Sequence, residues 1–278
     1  MSEAPAQKGL AGKLDKKRKR QTEDSTKQDK PEAASAAAPA DGSKKKKRKK
    51  AQKNKGQDDQ DVEDDDRKDG IDESIGKMDG GLLADYLAKR AQKLDKELSA
   101  VELDDLSVPG SAFLDTTSFA EPRSLDKLPE FLKAFSPKNA DLSKASEHNG
   151  TPHTLVISAA ALRAADVVRA LRPFHTKTSI VGKLFAKHIK LAEAKQFLER
   201  ARTGISAGTP QRVFDLIESG ALKVNELQRI VIDGSYIDTK KRGIFDMKEV
   251  HFPLLKLLNR PELSDRYSGK DKVQILVF

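Results

Sequence analysis

The chain has 278 residues, of which 34% are charged and 5% aromatic, and its mean hydropathy of −0.64 is too polar for a protein that folds along its whole length. Its formal net charge of +9 and pI near 9.4 favour polyanionic partners, and RNA, DNA and acidic proteins all stay open. Because cysteine is absent, disulfides, thiolate zinc sites and thiol nucleophiles are excluded.

The histidines do not form a pattern typical of a metal site, because no H-x3-H pair occurs among them; they are His148, His153, His175, His188 and His251. No metal or other cofactor is therefore expected. The sequence contains no apolar run of about 18 residues and no signal-peptide pattern, which indicates a soluble, intracellular protein without a membrane partner.

Residues 1–80 carry almost no large apolar side chains, so this segment is predicted to be a disordered tail. Two basic blocks favour nuclear import and loose phosphate binding, and the alternative is a merely solvated tail. The acidic block at 58–66 tips the interpretation towards a nuclear and nucleolar address. The predicted localisation residues are Lys16, Lys17, Arg18, Lys19, Arg20, Lys44, Lys45, Lys46, Lys47, Arg48, Lys49 and Lys50.

From residue 81 the composition changes, and apolar residues recur at a helical spacing: Leu83, Leu87, Ala91, Leu94 and Leu98. This spacing predicts an amphipathic helix of about five turns. Its apolar stripe has two interpretations, packing on its own domain or docking into a groove on a partner. Residues 101–120 contain a Pro109-Gly110 turn and scattered apolar side chains, which predict an extended segment held against a surface.

The rest of the chain alternates between apolar strand patterns and amphipathic helix patterns. A helix is predicted at 124–135, followed by a polar linker at 136–149. Strands are predicted at 154–157, 179–185, 205–207, 228–233 and 272–278, with helices at 159–172, 191–202, 210–219 and 245–258. This alternation predicts a parallel sheet covered by helices on both faces. The predicted organisation is a tail at 1–80, a docking segment at 81–120 and an α/β domain at 121–278.

The most informative motif lies between Gly204 and Asp238. An apolar strand, the turn Gly208-Thr209-Pro210-Gln211-Arg212, an amphipathic helix and a second apolar strand follow one another there. This order resembles the first RecA-like domain of DEAD-box RNA helicases over residues 119–278, and the turn resembles the T-P-G-R motif of that family. The resemblance implies that Thr209 and Arg212 hold RNA phosphates at a helix N-terminus, and that Arg163 keeps a weaker phosphate contact.

The parts of that family that bind and hydrolyse nucleotide do not match. Gly234 follows Asp233 at the position where the helicases have the glutamate of D-E-A-D. No glycine occurs between Ser111 and Asn149, where a phosphate-binding loop would lie, and no Gly-Lys pair is followed by Ser or Thr. Nucleotide binding and hydrolysis are therefore not expected. Strand separation is not expected either, since no second RecA-like domain follows the last predicted strand.

The charged tail, the segment Ala100–Asp115 and the single degenerate lobe are together similar to the Cms family of small-subunit-processome proteins. This resemblance implies a single RecA-like lobe that takes part in ribosome assembly without catalysis, in the nucleus and nucleolus. Pre-ribosomal RNA and processome proteins are the implied partners, and no small-molecule substrate is expected.

Three functional hypotheses stay open. In the first, the lobe is a docking surface for pre-ribosomal RNA and protein, and its candidate RNA-binding residues are Thr209, Arg212, Arg163, Lys183, Lys187, His188 and Lys190. The alternative for these residues is that Thr209-Pro210 simply caps a helix and that the lysines form a solvated face.

In the second hypothesis, the protein is an active ATPase or helicase with Asp233 as a magnesium ligand. The alternative for Asp233 is that it belongs to an Asp-Gly turn. In the third, residues 81–120 and the tail bind as a clamp, and the lobe only supplies bulk.

Overall fold

The computed structural model describes residues 66–138 and 140–278. The two basic blocks predicted to direct nuclear import lie outside these residues. The described residues fall within one compact unit of the chain.

The centre of this unit is a parallel sheet of five strands. The strands are β3 Thr154–Ile157, β4 Gly182–Leu184, β5 Ile205–Gly208, β6 Arg229–Ile232 and β7 Gln274–Val277. Their order across the sheet is β4-β5-β3-β6-β7, and every neighbouring pair is parallel. The three central strands, β5, β3 and β6, are buried on both faces, as expected where helices cover both sides of a parallel sheet.

The helices lie on the two faces of that sheet. They are α1 Gly80–Leu94, α2 Ala100–Asp105, α3 Leu128–Ala134, α4 Ala161–Ala170, α5 Leu191–Arg200, α6 Pro210–Glu218, α7 Lys248–Leu258 and α8 Pro261–Ser264. One core cluster joins Leu155 and Ile157 of β3 to α1, α5, α6 and α7, while the other joins Val156 to α3 and α4. Because side chains along a strand alternate between faces, these clusters lie on opposite sides of the sheet. The predicted class, a parallel sheet flanked by helices on both faces, is confirmed.

The first predicted helix is shorter than its apolar spacing indicates. Helix α1 begins after Asp79, whose side chain accepts a hydrogen bond from the Leu82 N–H, and ends at Leu94 rather than reaching Leu98. A new helix, α2, starts after Ser99 because Ser99 and Glu102 form a capping box. The apolar stripe of α1 is buried in the core of its own domain, so it is not available to a partner.

Residues 66–80 correct the predicted boundary of the disordered tail. The strands β1 Arg67–Lys68 and β2 Ile71–Asp72 form an antiparallel hairpin, and the Asp72 N–H donates to the Ser235 carbonyl at 2.7 Å. Ile75, which follows in a 3-10 helix, is only 1% exposed. The prediction failed here because partners more than 150 residues away along the chain hold the segment, and local composition does not reveal them.

The segment predicted to be extended at 101–120 begins instead with helix α2, because the Ser99 capping box starts a helix there, and only its residues 113 and 114 run beside the last strand of the sheet. Phe113 forms a parallel bridge with Ile275, and the Leu114 N–H donates to the Ile275 carbonyl at 2.8 Å. The chain therefore covers the outer edge of β7 for a short distance. At the opposite edge, β4 is shorter than the predicted strand 179–185 because hydrogen bonds between Thr176 and Ser179 close a turn before it.

Candidate nucleic-acid interface

The loops that follow β4 and β5 lie side by side at one edge of the sheet. In a parallel sheet the carboxyl ends of neighbouring strands share an edge, which is where ligands of such folds bind. The loop after β4 contains Lys187, His188 and Lys190, and the turn after β5 contains Thr209 and Arg212. A direct contact joins them, since Arg212 Nη1 donates to the Ile189 carbonyl at 3.1 Å. Five of the predicted RNA-binding residues are thus brought together at the carboxyl edge.

Thr209 occupies the N-cap position of α6 without a side-chain capping hydrogen bond. Its N–H donates instead to the Leu184 carbonyl at the end of β4, at 3.3 Å. The first turn of α6 contains no acidic residue, and Pro210 stands at its start. The partial positive charge of the helix N-terminus is therefore not offset within that turn, and the simple capping explanation for Thr209 is not supported by a bond.

The basic residues of the loop after β4 are exposed. Lys187, His188 and Lys190 form no ion pair with any described residue. His188 has a backbone φ of 59°, which is uncommon outside glycine and marks a sharp turn in the loop. An acidic side chain is close by, because the Lys190 N–H donates to a Glu193 carboxylate oxygen at 3.0 Å. Lys183 is also exposed but lies within β4, set back from the carboxyl edge.

Arg163 does not join this group of exposed cations. Its guanidinium donates two hydrogen bonds to Asp233, from Nε at 2.8 Å and from Nη2 at 2.9 Å, and it stacks over the Tyr236 ring at 4.1 Å. Burial lowers the pKa of Arg163, but its hydrogen bonds and charge interaction with Asp233 outweigh that effect and raise the pKa above its ordinary value. The two residues expected to contact phosphate and magnesium are therefore bound to each other.

The window in which a helicase would carry its phosphate-binding loop holds a buried arginine. Arg123 donates to the Val277 carbonyl at the end of β7, to the Gly76 carbonyl at 3.2 Å and to the Thr116 carbonyl at 2.9 Å. The sequence interpretation missed this residue, although Arg123 is the only cationic side chain between Lys96 and Lys127. A cleft of about 260 Å³ lies next to it.

Gly234, which follows Asp233 after the end of β6, is closely surrounded. A Cβ atom added there would lie 2.5 Å from Val277 Cγ1 and 2.9 Å from Phe245 Cε2. Both neighbours are buried core residues with little freedom to move. The backbone of this chain therefore has no room for a longer side chain at position 234.

Residues 66–138 and 140–278 contain neither a metal site nor a membrane span. No group of three or more His, Asp or Glu side chains is arranged to hold a metal ion there. None of the helices in this part of the chain has both the length and the apolar character needed to cross a membrane.

Comparison with known proteins places the chain among named relatives. A family model described as CMS1, U3-containing 90S pre-ribosomal complex subunit, matches residues 11–278. Protein CMS1 of Chaetomium thermophilum is 50% identical over 209 residues, which are 75% of this chain and 83% of that protein. Protein CMSS1 of Homo sapiens is 29% identical over 197 residues, which are 71% of this chain and 64% of that protein. The match therefore spans slightly less than two thirds of the human protein.

Other matches are more distant. Protein cms1 of Schizosaccharomyces pombe is 31% identical over 167 residues, covering 60% of this chain and 58% of that protein. Among solved structures, a chain from a Saccharomyces cerevisiae complex of dbp5 with nup159 and gle1 aligns at a TM-score of 0.35 and 15% identity, over 69% of this chain and 45% of that chain. Similarity this low supports no conclusion about activity.

Proposed function

The chain belongs to the CMS1 family, described as the U3-containing 90S pre-ribosomal complex subunit, and from this membership we propose that it is a non-catalytic ribosome biogenesis factor whose lobe holds pre-ribosomal RNA. The RNA-binding surface we propose consists of Thr209, Arg212, Lys187, His188 and Lys190, with Lys183 at its margin. Arg163 is left out of it because Asp233 already occupies its guanidinium.

One observation carries the proposal: the contact between Arg212 and the Ile189 carbonyl. It joins the first turn of α6, whose N-terminus has no side-chain cap, to a loop of exposed cations. That combination suits the phosphates of a nucleic-acid backbone, which accept hydrogen bonds and carry negative charge. Contacts of this kind position a protein on RNA without reading its sequence.

Three features support a role without catalysis. The sequence has no glycine-rich phosphate loop, position 234 has no space for a glutamate, and Asp233 is neutralised by Arg163. An ATPase needs a phosphate cradle, a metal and a group that orients the attacking water. The active-helicase hypothesis therefore has little to support it. A thermal shift on adding Mg-ATP that Asp233→Asn abolishes would revive it.

The clamp hypothesis needs an apolar surface at 81–120 that a partner can bind. The apolar stripe of α1, which was the main candidate, is already buried against α7 in the same domain. Residues 81–120 act chiefly as part of the folded unit. We keep the clamp as the second candidate, since the exposed Leu82 and Val101, at 54% and 71%, belong to this segment.

RNA binding by the full chain tests the proposal. The double variant Lys187→Ala with Arg212→Ala should bind a structured RNA clearly more weakly than the parent at moderate salt, measured by fluorescence anisotropy. The matched control is Lys223→Ala with Lys256→Ala, which removes two exposed lysines elsewhere on the lobe. Equal affinity of the double variant and the parent, with both folded, would show that the surface is wrongly assigned.

Nuclear and nucleolar localisation is the part of the proposal that rests on the family description and on the two basic blocks. Replacing Lys44, Lys45, Lys46 and Lys47 by glutamine in a fluorescent fusion should shift the protein towards the cytoplasm. Unchanged nucleolar signal after substitution of both blocks would remove the tail from the proposal while leaving the lobe's RNA surface untouched.

A further inference from the structure

A cleft opens at the carboxyl ends of β6 and β7, away from the surface proposed for RNA. Its walls include Asp72, Gly76, Lys77, Thr117, Arg123 and Ser235, and its volume is about 260 Å³. Pockets for drug-sized ligands typically begin at about 300 Å³, so this cleft suits a smaller group. The position, outside the carboxyl ends of parallel strands, is the usual ligand position of such sheets.

Arg123 places a positive charge in the wall of this cleft without a carboxylate beside it. The residue is 5% exposed, and it donates to the neutral carbonyls of Val277, Gly76 and Thr116 and to the Thr116 hydroxyl. Burial lowers the pKa of Arg123 to about 10, so the side chain is still charged at neutral pH. A buried cation normally has an anionic partner, because its desolvation is costly.

The guanidinium also has donors to spare. Arginine carries five N–H groups. In Arg123, one hydrogen of Nη1 and both hydrogens of Nη2 donate to the acceptors just named. The Nε hydrogen and the second Nη1 hydrogen have no partner among the described residues. A ligand oxygen in the cleft can accept from them.

Ser235 gives a second, independent indication of a ligand. Its residue is 0% exposed, and its hydroxyl oxygen has no hydrogen-bond partner among the described residues. Buried hydroxyls are nearly always hydrogen-bonded, because an unsatisfied one costs stability. Ser235 lines the same cleft as Arg123, so one ligand can satisfy both.

The acidic residues of the wall are already paired or exposed. Asp72 accepts from Arg67 Nε at 2.7 Å, and Glu121 lies 3.3 Å from Lys127 Nζ. Glu73 is exposed at the rim, where water screens its charge. Lys77 Nζ contacts Asp66 at 2.8 Å, but both side chains are exposed and such pairs are weak. Lys77 can therefore turn towards a ligand and add a second positive charge.

We propose that this cleft binds a phosphate group, held by Arg123 and Ser235 in its wall and by Lys77 at its rim. Two cations match the charge of a phosphate near neutral pH, which lies between about −1.5 and −2. Its several oxygens can accept from the guanidinium and the hydroxyl together. The group is either free phosphate or the terminal phosphate of a nucleotide, which extends out of the cleft.

Calorimetric titration of the full chain with inorganic phosphate, at an ionic strength matched with chloride, tests the site. The parent should show saturable binding, and Ser235→Ala should weaken it by a factor of roughly five, the effect of one hydrogen bond. Ser235→Ala removes a hydroxyl that has no partner among the described residues, so folding should not suffer. The matched control is Ser158→Ala, another fully buried serine whose hydroxyl has no partner there but which does not line the cleft.

The two serine variants and a second ligand give distinguishable outcomes. Binding to the parent and to Ser158→Ala, with weakening in Ser235→Ala, supports the site, and a parallel titration with adenosine monophosphate identifies the source. Equal affinity for both ligands indicates the phosphate alone, and tighter binding of the nucleotide indicates contacts beyond it. No saturable binding of either ligand by the parent, or equal weakening by both serine variants, would overturn the proposal.

Discussion

Arg163 and Asp233 bind each other through two hydrogen bonds at 2.8 and 2.9 Å, although they are 70 residues apart in the chain. The pair joins the helix that follows β3 to the end of β6, and the two side chains are only 12% and 2% exposed. An aspartate at this strand end is the acid that a nucleotide-bound metal needs in related folds, yet here an arginine takes its charge. The contact therefore fixes the start of that helix to the end of the strand.

The first prediction concerns the strength of this pair. Arg163→Met should lower the free energy of unfolding by about 3 to 5 kcal/mol, because it leaves the carboxylate of Asp233 buried and unpaired. The double variant Arg163→Met with Asp233→Leu should recover most of that loss, since no charge is left without a partner. Urea denaturation of the parent, the two single variants and the double variant gives the coupling energy. A loss below about 1 kcal/mol in Arg163→Met would mean that solvent reaches the pair freely.

The salt dependence of RNA binding gives a second prediction. Each phosphate interaction that a variant removes on a single strand should reduce the slope of log K against log salt by about 0.7. With a single-stranded RNA as the ligand, the double variant Lys187→Ala with Arg212→Ala should therefore show a slope lower than the parent by about 1.4, if each residue binds one phosphate. Anisotropy titrations between low and moderate salt measure it. A weaker affinity with an unchanged slope would indicate that the variant acts through misfolding and not through its missing charges.

Ile75 tests whether residues 66–80 belong to the folded unit. Ile75→Ala should cost about 2 to 5 kcal/mol of unfolding free energy, the usual effect of emptying a fully buried site. Ile180→Ala is the matched control, because Ile180 is 38% exposed and the change should stay within about 0.5 kcal/mol. Equal effects of the two substitutions in urea denaturation would contradict the packing described for this segment.

The buried His251 should make stability depend on pH. Its Nε2 lies 3.1 Å from the Leu87 carbonyl, and burial lowers its pKa from 6.5 to about 4 in the folded protein. Between about pH 6.5 and 4 the unfolded chain binds a proton that the folded protein does not, so stability falls as the pH falls through this range. At pH 4.5 the loss attributable to His251 should be about 2 to 3 kcal/mol relative to pH 7.5.

His251→Phe checks this assignment, because it keeps a ring of similar size and removes the titrating group. The variant should lose less stability than the parent between pH 7.5 and 4.5, whatever its stability at pH 7.5. Both proteins keep Asp246 and Arg90, which are the charged groups that act on His251. Parallel curves for the two proteins would place the acid sensitivity elsewhere, for example on the half-buried His153, whose pKa is also lowered to about 4 by burial.

Gly234 yields the last prediction. Gly234→Ala should destabilise the protein by about 1 to 3 kcal/mol, because the added methyl group overlaps Val277 and Phe245. Gly81→Ala is the matched control, since its nearest neighbour is 3.4 Å away and alanine favours the helix there. Gly234→Glu should accordingly yield unstable protein and no ATPase activity in a phosphate-release assay. A stable, ATP-hydrolysing Gly234→Glu variant would contradict both the packing and the non-catalytic proposal.

Much of the fold could be predicted from the sequence, because its signals are local. The apolar runs at 154–157 and 229–232 are strands within one residue of the predicted limits, and the Gly-Thr-Pro turn does start a helix. The grouping of Arg212 with the loop after β4 also follows from topology, since neighbouring strands of a parallel sheet end at one edge. The sequence therefore predicted that these two loops lie side by side, while their role as an RNA surface stays a proposal.

Several features that escaped the sequence depend on distant partners. Strand β1 is two polar residues long, and Arg67 is held by Asp72 and Asp246 through contacts that no local pattern signals. The family pattern assigns a phosphate contact to Arg163 because it describes the position of that residue and not its partner. Arg123 gives no signal for a similar reason, since an isolated arginine in a loop has no periodic signature.

The bridge between Phe113 and Ile275 has a consequence for how the protein behaves at high concentration. A strand at the margin of a sheet exposes unpaired N–H and C=O groups that can recruit another chain, and apolar strands such as β7 are the most hazardous. Residues 113 and 114 cover the outer edge of β7. The other edge strand, β4, is only three residues long and carries Lys183 at its centre. Both ends of the sheet are thus protected against self-association, so a fragment that starts after residue 120 should aggregate even where its core can still form.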